Sequence, residues 1–309
     1  MKICVICVEK TDYAPKRIMQ EGKKRGHEMY ITSWLDVVVK VDKNKIYIGD
    51  NKKDFKQFDA IIPRSPSFSL TEKYKKNIKK LGTILKLIIE YSKDNNFIVL
   101  NDKYFTHYQS LDKLSQQYFF FKNNLPGIPT KYFSRLPEKI SFPIISKTAQ
   151  GSLGSGVFMT KNQNDLKKII EDSNTVGKNF IYQKYYPISY DYRILVVDKK
   201  AMGVMKRISS GNEWRTNVSL GGEAHKFDAP EAKKIKYLAE KVAKKMLFDY
   251  VGVDILEHQG NYHIIEVNSL AQFEGFEKAY SNMNVAGKLI EFVEKKMKKE
   301  YEAKTNNKR

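Results

Sequence analysis

The stretch GVDILEHQGNYHIIEVNS, residues 252–269, sets Asp254, Glu266 and Asn268 inside two otherwise apolar runs. Strand alternation puts Gly252, Asp254 and Leu256 on one face and Val251, Val253 and Ile255 on the other. On the next strand it groups Ile264, Glu266 and Asn268. A hairpin turning through the odd loop Gln259-Gly260-Asn261 brings Asp254 opposite Glu266, so three oxygen-bearing side chains converge on one patch. Two facing carboxylates in half-buried strands repel each other, and burial then forces either protonation or a positive partner. Hard oxygen donors at this density suit Mg²⁺, which completes its octahedron with water and nucleotide phosphates. A salt-bridge ladder with surface lysines is the other arrangement the hairpin allows.

A second stretch, SKTAQGSLGSGV at residues 146–157, places Lys147 at a strand end ahead of Gly151, Ser152, Gly154, Ser155 and Gly156. Glycines let backbone N–H groups approach phosphate oxygens, and the lysine adds a point charge. This is not a Walker loop, because neither Lys-Ser nor Lys-Thr follows the last glycine; an ordinary flexible turn has the same composition. Lys113 opens a helix after Asp112, Asp191 and Arg193 share a strand face, and Arg207, Arg215 and Asn217 flank the loop RISSGNEWRTN. Several arginines on neighbouring strands would clamp a carboxylate or phosphate, although each singly fits a surface charge.

These groups need a scaffold, and hydrophobic periodicity supplies one. The continuously apolar Ile3–Val8 reads as a parallel strand covered on both faces. A helix around Pro15–Arg25, strands near Met29–Ile31 and Ala60–Ile62, a long helix from about Glu72 to Lys93 and a strand at Phe97–Leu100 complete a β-α-β alternation. Beyond it come helices at Lys113–Asn123 and Asp165–Glu171 and strands at Pro143–Lys147 and Phe180–Tyr185. Tyr192–Val197 and Ala201–Arg207 alternate around a tight DKK turn and read as antiparallel. Asp228-Ala-Pro-Glu231 reads as a capping box before a helix whose apolar face carries Ile235, Leu238, Ala239, Val242 and Met246. Residues from Tyr301 onward read as a frayed tail.

The chain has 309 residues, enough for one large or two to three small domains, and its 41% hydrophobic content excludes fibrous and disordered classes. Its 55 Lys and Arg against 35 Asp and Glu give a formal charge of +20, which favours anionic partners without naming one. Much of the excess lies on helix faces such as YKKNIKK and KKMKK. Cys4 and Cys7, the only cysteines, point to opposite faces of a strand, so they read as buried small hydrophobes rather than a metal or redox pair. Reduced cysteines, no signal peptide and no apolar stretch of membrane-spanning length point to a cytoplasmic protein without membrane contact. The histidines show no paired metal spacing.

Taken in order, MKICVI, KKRGHEM, FDAIIPR, LDKL, the glycine loop, Gln183-Lys184-Tyr185, Asp191-Tyr192-Arg193, RTN, GVDIL, EVN, EGFEK and VAGKLI resemble the RimK-type branch of the ATP-grasp carboxylate-amine ligases along nearly the whole chain. The resemblance implies a mixed α/β and α+β architecture: an N-terminal parallel α/β (pre-ATP-grasp) domain at 1–100, a central lobe with the glycine loop at 101–185, a C-terminal lobe with the metal site at 186–300, and a tail at 301–309. It also implies that Lys113 and Lys147 bind phosphates and that Gly151 to Gly156 close over the triphosphate. Gln183, Lys184 and Tyr185 match the adenine-side hinge, Asp191 the ribose contact, and Arg193, Arg215 and Asn217 the nucleotide and substrate side. Asp254, Glu266 and Asn268 match the ligands of two Mg²⁺ ions, for which Mn²⁺ can substitute. Lys184 stands where familiar members are acidic, and Leu270-Ala271-Gln272 replaces Ser-Pro-Gly after EVN.

The expected activity is amide formation from ATP through an acyl phosphate, with ADP and phosphate released and Arg207 and Arg215 assisting. Removing Asp254 or Glu266 should end turnover and leave the fold intact. Glutamate or another amino acid is the expected amine, with a peptide, protein C-terminus, carrier protein or small cofactor as carboxylate acceptor, possibly acidic. Cyclisation of a ribosomal precursor peptide, or a non-catalytic RNA-binding module on the same scaffold, are the competing readings; nucleic acid is allowed but not required. Homo-oligomers are common in the family. A nicotinamide-dependent dehydrogenase fails for want of G-x-G-x-x-G after Ile3–Val8.

Overall fold

The computed structural model describes residues 1–43, 45–64, 81–108, 111–137, 139–149, 156–172, 177, 179–209 and 222–306. Strand β1 (Lys2–Cys7) is buried from Ile3 onward. Helix α1 (Tyr13–Lys24) crosses to β2 (Glu28–Ser33) and lays Ala14 and Ile18 into the core. An antiparallel hairpin follows, β3 (Val38–Val41) and β4 (Ile46–Gly49), then β5 (Ala60–Pro63), α2 (Leu81–Asn95) and β6 (Ile98–Val99). The parallel sheet has the order β2-β1-β5-β6. Ile3 and Val5 face one packed layer while Cys4 and Ile6 face another, which is why β1 carries no polar alternation. Both cysteines are free and buried, and burial pushes the Cys7 thiol up to about 12.

Helix α3 (Asp102–Tyr108) and helix α4 (Lys113–Lys122) lead into a second, antiparallel sheet. It comprises β7 (Thr130–Tyr132), β8 (Ile144–Thr148), β9 (Val157–Thr160) and β10 (Phe180–Lys184), with α5 (Gln163–Glu171) between the last two, in the order β7-β10-β8-β9. Pairing sets Lys147 opposite Ile181 and Val157, and Ile145 opposite Gln183 and Met159, so these six share one face. Ile144, Phe158, Phe180 and Tyr182 take the other and pack with Leu166 of α5. One face of this sheet therefore builds a core, and the face bearing Lys147 looks elsewhere.

The third sheet contains β11 (Tyr190–Val197), β12 (Lys200–Ile208) and β13 (Glu223–Lys226), then, after α6 (Ala232–Lys245), β14 (Tyr250–His258) and β15 (Asn261–Asn268). All neighbours are antiparallel, in the order β13-β12-β11-β14-β15. Tyr192, Ile194, Val196, Val251, Val253 and Ile255 pack beneath α6. The opposite face is split: Leu195, Val197, Met205 and Tyr250 join a core shared with the first sheet, α7 (Glu274–Ala279) and α8 (Val285–Asn306), while its other half is charged.

Three expectations need correction. The DAPE capping box does not start α6: Glu231 sits at the N-cap in helical geometry without a side-chain cap bond, and Asp228 is held by Lys226 at 2.5 Å. The chain from Tyr301 is not a tail through its described part, because α8 continues to Asn306. Ile264 does not share a face with Glu266. A bulge between the Asp254 and Ile255 pairings turns Ile264 into the core under α6. The long helix expected from Glu72 is described only from Leu81.

Candidate active site

Asp254 does stand opposite Glu266, but the route differs from the odd loop expected. His258 pairs with Asn261 across a two-residue turn in which Gln259 and Gly260 have φ of 51° and 75°, the left-handed pair that suits a hairpin. The bulge then supplies the extra residue, so Asp254 meets Glu266 and Gly252 meets Asn268. Edge strand β15 is held from outside by α4. Gln116 bonds both ways with the Val267 backbone, accepting at 2.9 Å and donating at 3.3 Å. Gln117 donates to the Ile265 carbonyl at 2.8 Å and accepts from Ile128 N–H at 2.8 Å. Two glutamines thus occupy backbone positions that a further strand would have filled.

Cross-strand pairing gathers the charges. Asp191 pairs with Arg207, and Arg193 with Asp254, so all four lie on the same face as Glu266 and Asn268. Arg193 grips Asp254 with both Nε and Nη2, the latter at 2.6 Å. Arg207 donates to both oxygens of Asp191 at 2.7 and 2.6 Å and reaches Asp254 Oδ2 at 3.1 Å. Burial works against ionisation of Asp254, but Arg193 and Arg207 together overcome it and keep its carboxyl below the usual range. Burial likewise opposes the charge on Arg207, and the two aspartates outweigh it and raise its pKa. Glu266 and Asn268 remain partly exposed, with Asn268 Nδ2 3.5 Å from Glu266 Oε1.

Lys147 faces this cluster from the second sheet. Its amine is buried, and burial pulls its pKa below the ordinary lysine value; Glu266, Asp254 and Asp191 partly offset that effect, while Lys113 adds to it. Lys113 sits in the first turn of α4 beneath the Asp112 cap, which accepts from Ser115 N–H at 2.8 Å. A cation there opposes the helix dipole, so the position has a reason beyond helix stability. Gly156 accepts from Thr148 N–H at 2.8 Å through its carbonyl, and a Cβ on it would lie 2.1 Å from Thr148 Oγ1. That close approach ties the base of the glycine loop to the strand carrying Lys147. Gly151, Ser152, Gly154 and Ser155 lie outside the described residues, as do Arg215 and Asn217.

The hinge residues separate. Gln183 shares the Lys147 face and is buried; its Nε2 donates to Thr130 Oγ1 at 2.9 Å, and its buried Oε1 has no hydrogen-bond partner among the described residues. An orphaned acceptor there fits a ligand amino group. Lys184 points to the opposite face and is exposed, its Nζ 5.1 Å from the Tyr186 ring centroid, so only its backbone can serve a ligand beside Lys147. Tyr185 lies just past the end of β10. Asp191 is spent on Arg207 and Arg193 on Asp254, so both orient other groups in this arrangement.

The donor chemistry suits a hard cation. Asp254 Oδ1 accepts from Arg193 Nε, and a carboxylate oxygen has two lone pairs; Glu266 and Asn268 add partly exposed oxygens. Among the described residues no group of three His, Cys, Asp or Glu side chains gathers into a metal site. What the sequence did not yield is the partner of Asp254. Arg193 becomes visible only when β11 and β14 are known to be neighbours.

Three sheets with a charged sheet face turned toward a buried lysine on another sheet define an ATP-grasp protein. Comparison with known proteins agrees. Residues 108–293 match the RimK-like ATP-grasp domain and residues 1–76 the RimK PreATP-grasp domain. The chain belongs to the RimK-like ATP-grasp family of ATP-dependent carbon–nitrogen ligases. A probable alpha-L-glutamate ligase of Trichodesmium erythraeum is 28% identical over 97% of this chain and 98% of its own. Another, from Psychromonas ingrahamii, is 27% identical over 99% of both. Among solved structures, the ATP-grasp ligase PsnB complexed with precursor peptide PsnA2 and AMPPNP superposes with a TM-score of 0.68 at 16% identity, over 96% of this chain and 97% of that one. D-alanine–D-alanine ligase of Bacillus anthracis, complexed with ATP, gives 0.64 at 12% identity, over 98% and 99%. No helix among the described residues is long and apolar enough to cross a membrane.

Proposed function

We propose that this chain joins an amino acid, glutamate first among them, to a carboxylate on a peptide or protein, with ATP as the energy source. The observation that carries this reading is the opposition of buried Lys147 to the Asp254, Glu266 and Asn268 face. The names of the full-length relatives support glutamate as the amine. The γ-phosphoryl group passes to an oxygen of the acceptor carboxylate, forming a mixed anhydride and leaving ADP. The amine then attacks the acyl carbon, the C–O bond to phosphate breaks, and the amine sheds a proton as the amide forms.

Lys147 and Lys113 neutralise the phosphates, and Lys147 regains its full charge when an anion replaces the solvent it lost. Arg207, fixed by two aspartates, is a permanent cation beside the transfer site. Asp254, Glu266 and Asn268 would hold magnesium, which when bound supplies neutralisation of charge on the triphosphate and the transferring phosphoryl group. Gln183 reads the adenine amino group through its buried Oε1. No side chain need act as a nucleophile.

The test is a panel of the common amino acids incubated with the protein, MgATP and a mixture of short peptides. Glutamate should stimulate ADP release most, and mass spectrometry should find peptides heavier by glutamyl residues. Stimulation by peptide alone, with loss of water from that peptide, would instead favour cyclisation.

A further inference from the structure

We infer that Arg64 is the receptor for a non-reacting carboxylate of the amino acid substrate, an assignment that rests on the ligase reading above. Arg64 follows β5 at the carboxyl end of the parallel sheet, where open α/β sheets bind ligands. Its backbone is fixed on both sides: its N–H donates to the Ile6 carbonyl at 2.8 Å, and its own carbonyl accepts from Trp34 Nε1 at 3.0 Å. The side chain is 0% exposed and crosses to the loop after β15, where Nη2 donates to the Ala271 carbonyl at 2.5 Å. Its Cζ lies 5.5 Å from the ring centroids of both Tyr250 and Phe273. Nε and Nη1 are buried and meet no hydrogen-bond acceptor among the described residues.

A guanidinium cannot relieve that state by shedding its proton, and the Ala271 carbonyl and the neighbouring Tyr250 hydroxyl, both neutral, bring no balancing charge to its five N–H donors. The contrast within the same molecule is sharp: Arg207 has two aspartates and Arg193 has one, whereas Arg64 has no carboxylate partner among the described residues. Its location explains the difference. Ala271, which Arg64 holds, lies against Gly252, where an added Cβ would stand 2.7 Å from Ala271 Cβ and 3.3 Å from Arg193 Cδ. Gly252 is two residues from Asp254 on the same face. Arg64 therefore stands one packing layer behind the reacting centre, its guanidinium set against the Tyr250 and Phe273 rings, surroundings that suit a small organic anion better than a hydrated triphosphate. An amino acid brings such an anion, and a charge-assisted bond from Arg64 fixes the amine that must attack.

The competing role is structural: a cation wedged between two rings to fasten the first sheet to the third. Steady-state kinetics and calorimetry on the full chain separate the two. Arg64→Gln should raise the KM for L-glutamate on the order of 10- to 100-fold while the KM for ATP stays within about twofold, and Arg64→Lys should recover part of the loss. Unmodified protein should discriminate by a similar factor against one of two mono-amides. Rejection of the α-amide assigns Arg64 to the α-carboxylate, rejection of glutamine assigns it to the side chain, and Arg64→Gln should erase that discrimination. A lowered melting temperature with unchanged glutamate KM, or equal acceptance of both mono-amides by unmodified protein, overturns the assignment. If no amino acid elicits ADP release, the ligase reading fails separately. L-Glutamate titrated into protein loaded with MgADP then decides: binding lost in Arg64→Gln sustains the receptor, and equal binding or none overturns it.

Discussion

At the scale of the residue, Asp254 and Glu266 look equivalent in the sequence and are not. Asp254 is buried and shared by two guanidinium groups, whereas Glu266 is partly exposed. Asp254→Asn leaves Arg193 without its carboxylate and Arg207 with Asp191 alone, and should cost about 3–5 kcal/mol of stability together with turnover. That outcome departs from the expectation, drawn from the sequence, that its loss would spare the fold. Glu266→Gln should leave the melting temperature within a few degrees and lower kcat by at least ~100-fold. Thermal melts beside an ADP-release assay check both; equal melting temperatures for the two variants would contradict the ion-pair account. The same cluster makes a pH prediction. Because Asp254 ionises more readily when folded, its contribution is present above the unfolded pKa of about 3.9 and lost as pH falls through the folded value. Lys147 runs the other way in activity. Its depressed pKa means that the free enzyme loses this ammonium as pH rises, before an ordinary lysine near 10.4 would, so kcat/KM for ATP should fall on that alkaline limb. Lys147→Arg should remove the limb, with Glu266, Asp254, Asp191 and Lys113 still facing the group. A profile in the unmodified protein that stays level up to the ordinary lysine range would contradict it.

At the scale of the element, the edge strand β15 shows what pattern can and cannot reveal. Alternation correctly put Glu266 and Asn268 on one face, because that inference uses only neighbours in the chain. It put Ile264 with them, because a bulge breaks the period of two and leaves no mark in composition. Gln116 and Gln117 were equally silent: on a helix, consecutive glutamines read as solvent-facing, and only the placement of α4 against β15 turns them into backbone caps. The β3–β4 hairpin escaped notice because each of its strands is only four residues long. Gln117→Ala should leave Ile128 N–H and the Ile265 carbonyl unpaired, costing about 1–3 kcal/mol. Hydrogen exchange along β15 should quicken and the magnesium needed for half-maximal rate should rise. Unchanged exchange in β15 would show that the cap is dispensable.

At the scale of the whole molecule, the first sheet and the site are tied together by Asn101. Fully buried, it accepts from Asp249 and Tyr250 N–H at 2.8 and 2.9 Å and donates to the Tyr250 and Ser269 carbonyls, each at 2.7 Å. Lys296 of α8 closes the same junction with Asp102 at 2.7 Å and Asp249 at 2.9 Å. Asn101→Ala should therefore lose about 2–4 kcal/mol and blunt activity, because both strands of the charged hairpin are anchored there. Denaturant unfolding followed on the variant measures it, and a loss below about 1 kcal/mol would deny the anchor its role. The order of motifs along the chain made the family legible, and pairing of distant strands made the site: Arg193 with Asp254, Arg207 with Asp191, Lys147 over all of them. The account stands on phosphoryl transfer to a carboxylate at that site. Phosphorus NMR of the products formed from MgATP, an amino acid and an acceptor peptide tests it most directly. ADP and inorganic phosphate in equal amounts, absent with Glu266→Gln, are the predicted result; AMP with pyrophosphate would contradict it.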